Sequence, residues 1–414
     1  MRTFFVTATL LAPAVATAGG YVIPNESPRS IGLSQASVAN EHGADAIFLN
    51  TAALAGQDGL DVAVGDEILI NRTDWSDPSL GTASIHPKVN TPPTVSIGYG
   101  DQLESGQAWG VGFGFNLPAG GSLFWPSGWQ GQEFIQSVDQ KVYALGFGAA
   151  FQPLPYLKVG ASYLRFQATE ELHQGINYLD HIGDAGLAMS GGANGFGLAA
   201  QVDVPNVPLS FGITYSHSAD LDLSGHAHFT DVPPAFQSQI HDQAVTEHLK
   251  IPNVLFVGAA YEVIPNLKVM GAYSFERWSL YTADEFVGAD GFKVTVPRNY
   301  NDAHVIRLAG EWVQLPFLPQ LTARAGVLRS ISDQPKDTLS PSLTDASSWA
   351  LSIGAGFNIQ RTLRVDLGYQ HAFFDSVTAD TSSMNVLQGT YKTGVDLFSL
   401  GVDWRTDLGF LKGR

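Results

Sequence analysis

Fourteen stretches of alternating apolar and polar residues follow one another from residue 59 on, and the spacers between them are alternately short and long. This feature constrains the fold of the chain most. The stretches are read at 59–74, 92–101, 107–117, 138–152, 156–170, 192–204, 208–222, 247–263, 266–280, 300–315, 319–331, 346–359, 362–376 and 391–405. Each even-numbered stretch is followed by a tight connection: Asp101 to Gly106, Pro153 to Pro155, Pro205 to Val207, Ile264-Pro265, Pro316 to Leu318, Gln360-Arg361. Each odd-numbered one is followed by a long one: 75–91, 118–137, 171–191, 223–246, 281–299, 332–345, 377–390. An even count with this parity predicts a 14-stranded antiparallel transmembrane β-barrel, tight turns on one side, long loops on the other, and both chain ends on the turn side.

Period two also predicts the faces. In 156–170, Leu157, Val159, Ala161 and Tyr163 point one way while Lys158, Gly160 and Ser162 point the other. The pattern returns as Leu267, Val269, Tyr273 and Phe275 against Lys268, Ala272 and Ser274, and as Leu363, Val365, Leu367 and Tyr369 against Arg364, Asp366, Gly368 and Gln370. The apolar rows are expected to face lipid and the polar rows the lumen, with Tyr143, Tyr163, Tyr261, Trp312, Trp349 and Trp404 supplying interfacial girdles. No stretch approaches the ~18 uninterrupted apolar residues of a membrane helix. A formal net charge of −17 argues against nucleic acid as a partner, and the lack of cysteine removes disulfides and thiolate metal sites.

Residues 1–18 read as a cleavable leader: Met1-Arg2, a short apolar core from Phe4 to Val15, and a small-x-small site at Ala16-Thr17-Ala18. Residues 19–58 are too short for a domain. They alternate small residues (Gly32, Ala36, Ala39, Gly43, Ala46) with apolar ones (Ile31, Leu33, Val38, Ile47, Phe48, Leu54), which suits short helical turns packed inside something. The expected organisation is therefore a leader, an N-terminal helical plug over 19–58, and the barrel from 59 to 414.

Plug plus fourteen strands resembles the FadL/TodX family, the long-chain fatty acid and aromatic-hydrocarbon transporters of Gram-negative outer membranes. Gly43-Ala-Asp-Ala-Ile-Phe-Leu-Asn-Thr-Ala-Ala-Leu54 is similar to the family's segment carrying an Asn-Pro-Ala motif, here Asn50, Thr51 and Ala52, with threonine in place of proline. Trp109-Gly-Val-Gly-Phe-Gly-Phe-Asn-Leu-Pro-Ala-Gly, Tyr273-Ser-Phe-Glu-Arg-Trp-Ser, Arg324-Ala-Gly-Val-Leu-Arg-Ser and Gly389-Thr-Tyr-Lys-Thr-Gly are similar too. A second departure is the ending Leu408-Gly-Phe-Leu-Lys-Gly-Arg, without a terminal aromatic, for which Phe410 or Trp404 would substitute. The resemblance implies an outer-membrane monomer, no cofactor, hydrophobic small molecules and membrane lipid as partners, and passive uptake rather than enzymatic chemistry. A polar porin and an outer-membrane lipid hydrolase are the alternatives. No Gly-x-Ser-x-Gly elbow is present, and a water-filled pore needs neither a plug nor an aromatic loop.

Gly110, Gly112 and Gly114, at every second position of the third strand, either admit the plug closely or, as the resemblance implies, mark an inward kink that opens the wall laterally. Phe124, Trp125 and Trp129 in the loop 118–137 are expected either as an exposed landing groove for an apolar ligand or as a cap packed on other loops. Arg307 and Arg324 face the lumen, as candidates for a ligand carboxylate or for a salt-bridge network that fixes the plug. His226-x-His228 lies in a histidine-rich loop without a compelling carboxylate spacing, so a loop surface is expected rather than a metal site. Tyr21, Val22 and Ile23, after two glycines and near the end left by leader removal, are expected to contact ligand and to move as a gate toward strand three, with Asn50 and Thr51 holding the neighbouring turn.

Overall fold

The computed structural model describes residues 22–217, 220–332, 334–380 and 386–406. The leader, Tyr21 and the stretch 408–414 with Phe410 lie outside the described residues. The barrel has fourteen antiparallel strands: β1 (Gly59–Asp77), β2 (Pro93–Gln102), β3 (Ala108–Phe124), β4 (Ser137–Leu154), β5 (Leu157–Asn177), β6 (Ile182–Asp203), β7 (Leu209–His217 and Leu221–Phe229), β8 (Gln243–Leu249 and Val254–Ile264), β9 (Leu267–Glu276), β10 (Ala303–Trp312), β11 (Leu321–Ile331), β12 (Ser348–Gln360), β13 (Leu363–Phe374) and β14 (Thr390–Thr406). Leu60 pairs with Thr406 and the ladder runs to Ser76 with Thr390, so β1 and β14 close the cylinder.

The strands are longer at the loop side than the alternation of apolar outward residues predicts. Beyond the lipid-facing band the polarity of both faces inverts. On β5, Val159 and Tyr163 are exposed outward and Lys158 and Ser162 look inward. Higher on the same strand the outward residues are Gln167, Thr169, Glu171 and His173, and the buried ones are Phe166, Ala168 and Leu172. A strand leaving the bilayer meets water outside, so its apolar row turns to the interior. There the upper strands and loops enclose a hydrophobic core that includes Val138, Val142, Leu172, Leu187, Leu223, Val245 and Leu249, which we call the cap. A hairpin of Ala283–Gly288 and Lys293–Pro297 joins it, its first strand pairing with Val245 and Thr246.

The N-terminal segment fills the lower lumen as four short helical turns, Pro28–Gly32, Ala36–Ala39, Ala46–Leu49 and Thr51–Gly56. Ser27 caps the first, its hydroxyl accepting from the Ser30 amide, with Pro28 at the first helical position. Asn50 caps the last, its side-chain oxygen accepting from the Ala52 amide at 3.2 Å while its amide donates to the Val38 carbonyl at 2.6 Å. Leu33, Ala36, Val38 and Ala39 pack on Phe256, Ala260, Met270 and Ala272 of β8 and β9. Ile47, Ala53 and Leu54 pack toward Ala150 of β4. Close approach requires glycine at two walls in particular: a Cβ on Gly110 would stand 2.1 Å from the Leu54 carbonyl oxygen, and one on Gly160 2.6 Å from the Ala52 nitrogen.

Candidate functional site

Below, the plug is held by charge. Arg29 grips Glu311 of β10 through two contacts of 3.0 and 2.8 Å and also binds Glu41 of the plug itself. Glu311 accepts from Arg324 Nε at 2.9 Å, Arg324 binds Asp366, and Arg364 Nε reaches Asp366 at 2.7 Å. Lys268 donates to the Asn40 side chain at 2.7 Å, and Ser34 bonds Ser352 at 2.8 Å. These charges are buried, and bidentate pairing is what makes such burial tolerable. Arg324 is therefore committed to the wall network between Glu311 and Asp366.

Arg307 is placed differently. Its Nη1 donates to Ser274 Oγ at 2.8 Å and its guanidinium lies 4.7 Å above the Phe256 ring, but none of the carboxylates among the described residues pairs with it and its Nε has no partner. It lines a cavity of about 220 Å³ above the plug, with Val22, Glu26, Phe48, Leu49, Phe256, Leu328 and Leu397. A neighbouring chamber of about 170 Å³ shares Val22, Glu26, Phe48, Leu49, Pro118 and Val254 and adds Ile47, Leu164, Phe166 and Ile251. Both are lined mainly by apolar side chains. Glu26 is the carboxyl common to both, and burial pushes it up to about 7, against the hydrogen bond from Ser30 and the attraction of Arg307.

The wall is incomplete beside this double chamber. β3 pairs with β2 only from Ala108 to Phe115, and its pairing with β4 skips Leu117 and Pro118. Pro92 and Pro93 on the facing chain and Pro118 on β3 lack the amide a ladder needs. A window of about 320 Å³ results, lined by Leu69, Asn90, Thr91, Pro93, Leu117, Gln140 and Tyr143, with Ile23 in it. The plug's first residues occupy the free edge: Val22 bridges to Ala119 and the Ile23 amide donates to the Pro118 carbonyl at 2.8 Å. Asn25 joins both rims, donating to the Pro92 carbonyl at 3.1 Å and accepting from the Leu117 amide at 2.8 Å, while Asn116 donates to the Asn25 carbonyl at 2.7 Å.

The glycines of β3 do not stand at this window. Gly110 pairs with Gly100 and Ala150 on either side, and a Cβ on Gly112 or Gly114 would meet Leu54, Ile47 or Phe48 of the plug, so all three are close-packing positions. The break in pairing lies one to two turns of the pleat higher, at Leu117 and Pro118. The loop aromatics are likewise not an exposed groove. Trp125 and Trp129, 5% and 4% exposed, stack with ring centroids 4.1 Å apart inside the cap and donate to the carbonyls of Pro341 and Ile135. Trp75 meets Trp129 edge-on, and Phe124 is half-buried under Lys88. Two indoles with donors satisfied, that of Trp125 by another loop and that of Trp129 within its own, gain more from burial than from solvent.

Thr51 donates to the Ile47 carbonyl at 3.3 Å, and Ala52 sits against Gly160. His226 and His228 both point outward from the upper part of β7, and His228 pairs with Asp242. Among the described residues no three His, Cys, Asp or Glu side chains gather at metal-holding spacing. The sequence pattern marks Phe48 only as an apolar plug residue and carries no signal for Glu26, Asn25 or Asn116. The prolines at 92, 93 and 118 were the available signal for the window, since they interrupt or border strand patterns.

The family model described as outer membrane protein transport protein (OMPP1/FadL/TodX) matches residues 9–405. No curated protein matches the chain. Among solved structures, a FadL homologue from Pseudomonas aeruginosa superposes with a TM-score of 0.81 at 16% identity, covering 93% of this chain and 99% of that one. The monoaromatic hydrocarbon channel CymD gives 0.69 at 18% identity, covering 94% and 98%. The toluene transporter TodX from P. putida gives 0.69 at 16%, covering 90% and 97%.

Proposed function

The chain belongs to the OMPP1/FadL/TodX family of outer-membrane transport proteins, and from that premise we propose that it carries a hydrophobic molecule passively through the outer membrane of a Gram-negative cell, by way of the paired chambers and the window between β2 and β3. The observation that carries this reading is the junction of apolar chambers with a wall break that, among the described residues, is closed by residues 22–25. The lower plug is tied by buried ion pairs on several strands, whereas this end is held by a few neutral hydrogen bonds, each contributing about 1 kcal/mol net. Val22 and Ile23 are thus the part of the plug that yields first, and Val22 lines both chambers. A ligand entering them competes with Val22 for apolar contact and favours release of the edge.

Chamber size bears on the substrate. An apolar cavity of about 150 Å³ suffices to hold benzene, so a monoaromatic hydrocarbon fits either chamber alone. A long-chain fatty acid would have to thread both, and Arg307 is the cation then available to its carboxylate. Uptake of labelled toluene and oleate by cells with and without the protein tests the proposal: accumulation of neither above background would end it. Arg307→Gln is expected to weaken oleate binding at least tenfold and to leave toluene unchanged; equal loss of both would remove Arg307 from carboxylate recognition. Free passage of small sugars through wild-type protein in liposome swelling would favour a polar porin instead.

A further inference from the structure

Three side chains break the inverted polarity of the cap at one level. The inward row of β4 reads Val138, Gln140, Val142; that of β5 reads Ala168, Glu170, Leu172; that of β8 reads Val245, Glu247, Leu249. Their exposures are 1%, 0% and 0%. Gln140 and Glu170 are direct cross-strand partners, the amide nitrogen lying 3.4 Å from the carboxylate, and the Glu170 and Glu247 carboxyl groups stand within hydrogen-bonding reach of each other. Asp284 and Arg298 are nearby, with Arg298 Nε donating to Asp284 at 2.6 Å and Tyr281 donating to the second Asp284 oxygen, while the Arg298 charge also attracts both glutamates. One arginine thus faces three carboxyl groups, which leaves an excess of two negative charges in an apolar interior when all are ionised.

Four oxygens of this set receive no hydrogen bond: Glu170 Oε1, both oxygens of Glu247, and Gln140 Oε1. A proton shared between the glutamates would satisfy one contact and leave the amide oxygen and at least one carboxyl oxygen bare, each at a cost of about 1–3 kcal/mol. A divalent cation would satisfy all of them together and balance the two negative charges. The ligands are hard oxygens, without imidazole or thiolate, which selects calcium or magnesium over transition metals. Calcium's tolerance of irregular carboxylate and amide coordination suits three strands converging from different walls.

We infer that Glu170, Glu247 and Gln140 form a calcium site inside the extracellular cap, cross-linking β4, β5 and β8 above the transport chambers. Calcium is drawn from the external medium, and the site sets the rigidity of the cap, with Gln140 also lining the window and so joining the site to the rim of the wall break.

The test uses the full chain in detergent micelles, stripped with chelator and titrated with calcium chloride, read by calorimetry and by thermal unfolding. The expected result is one site per chain and a calcium-dependent rise in unfolding temperature. Glu247→Gln should lower the affinity by at least tenfold and abolish that rise. Gln140→Met, which removes one neutral ligand from a packed position, should lower the affinity by about tenfold and serves as the readout if Glu247→Gln does not fold. No calcium or magnesium binding by the wild type would overturn the inference. So would calcium binding undiminished in the variant that folds, because the ion would then sit elsewhere. A Glu170→Gln/Glu247→Gln protein as stable as the calcium-loaded wild type would also overturn it, since the pair would then need only protons.

Discussion

The lower and upper halves of the barrel are built from the same strands with opposite polarity. Below, the wall is apolar toward lipid and the interior carries Arg29, Glu41, Glu311, Arg324 and Asp366 in a buried charge network around a plug. Above, the wall is polar toward water and the interior is a hydrophobic core with stacked tryptophans. Period two is constant along a strand; its sign is set by the solvent outside. The consequence is mechanical. The lower interior is held by directional ion pairs that lock one arrangement, the upper by packing, and between them lies the one level where the chambers and the wall break meet.

The largest test of this contrast is Arg29→Met. Removing one partner of a buried network leaves Glu41 and Glu311 uncompensated, with an expected loss of about 4 kcal/mol in urea unfolding from lipid vesicles, together with raised sugar permeability as the plug loosens. Wild-type stability with unchanged permeability would mean that the network does not hold the plug. In the cap, Leu172→Ala removes buried apolar volume and should cost about 3 kcal/mol. Here faster amide exchange is expected in the loops and no change in sugar permeability; a leak would show that cap and plug are not separable.

Smaller effects are expected from the glycines. Gly110→Ala forces Leu54 of the plug away from β3 and should cost about 1–3 kcal/mol as overpacking. Gly271→Ala, on the lipid face with open space around it, should stay within about 0.5 kcal/mol. Equal values at the two positions would argue that the plug is not packed on β3. The smallest effect is a pH dependence. Glu26 is raised by burial from 4.5 to about 7, so the folded plug favours the neutral carboxyl. That preference is fully present below about pH 4.5 and is lost as the pH rises through about 7. Amide exchange at Ile23 and Asn25 should therefore quicken between about pH 5 and pH 8, and Glu26→Gln should flatten the profile. A pH-independent rate in the wild type, after correction for intrinsic exchange, would remove Glu26 from control of this end.

Much of the fold was legible because tight turns leave a local record. Pro153-Leu-Pro155 and Ile264-Pro265 mark turns whatever the strands pair with, and the parity of spacer lengths followed. The lumen charges Arg307 and Arg324 were legible from alternation alone. Which arginine is committed was not: both read as inward cations, and only the approach of Arg29 from the plug and of Asp366 from β13 commits Arg324 while Arg307 keeps a free edge. Trp125 and Trp129 read as an aromatic loop, but their burial depends on Pro341 and Leu387, more than two hundred residues away.

The sequence by itself determined the strand number, the sidedness of turns and loops, the lipid and lumen rows and the presence of a small-residue plug, because each is written in periodicity or composition over short distances. The tertiary structure alone decided where the wall opens, which charges neutralise one another and that the three polar residues of the cap meet. Those properties belong to contacts between strands far apart in the chain, and a hydrogen bond or ion pair depends on separations in space that no local pattern records.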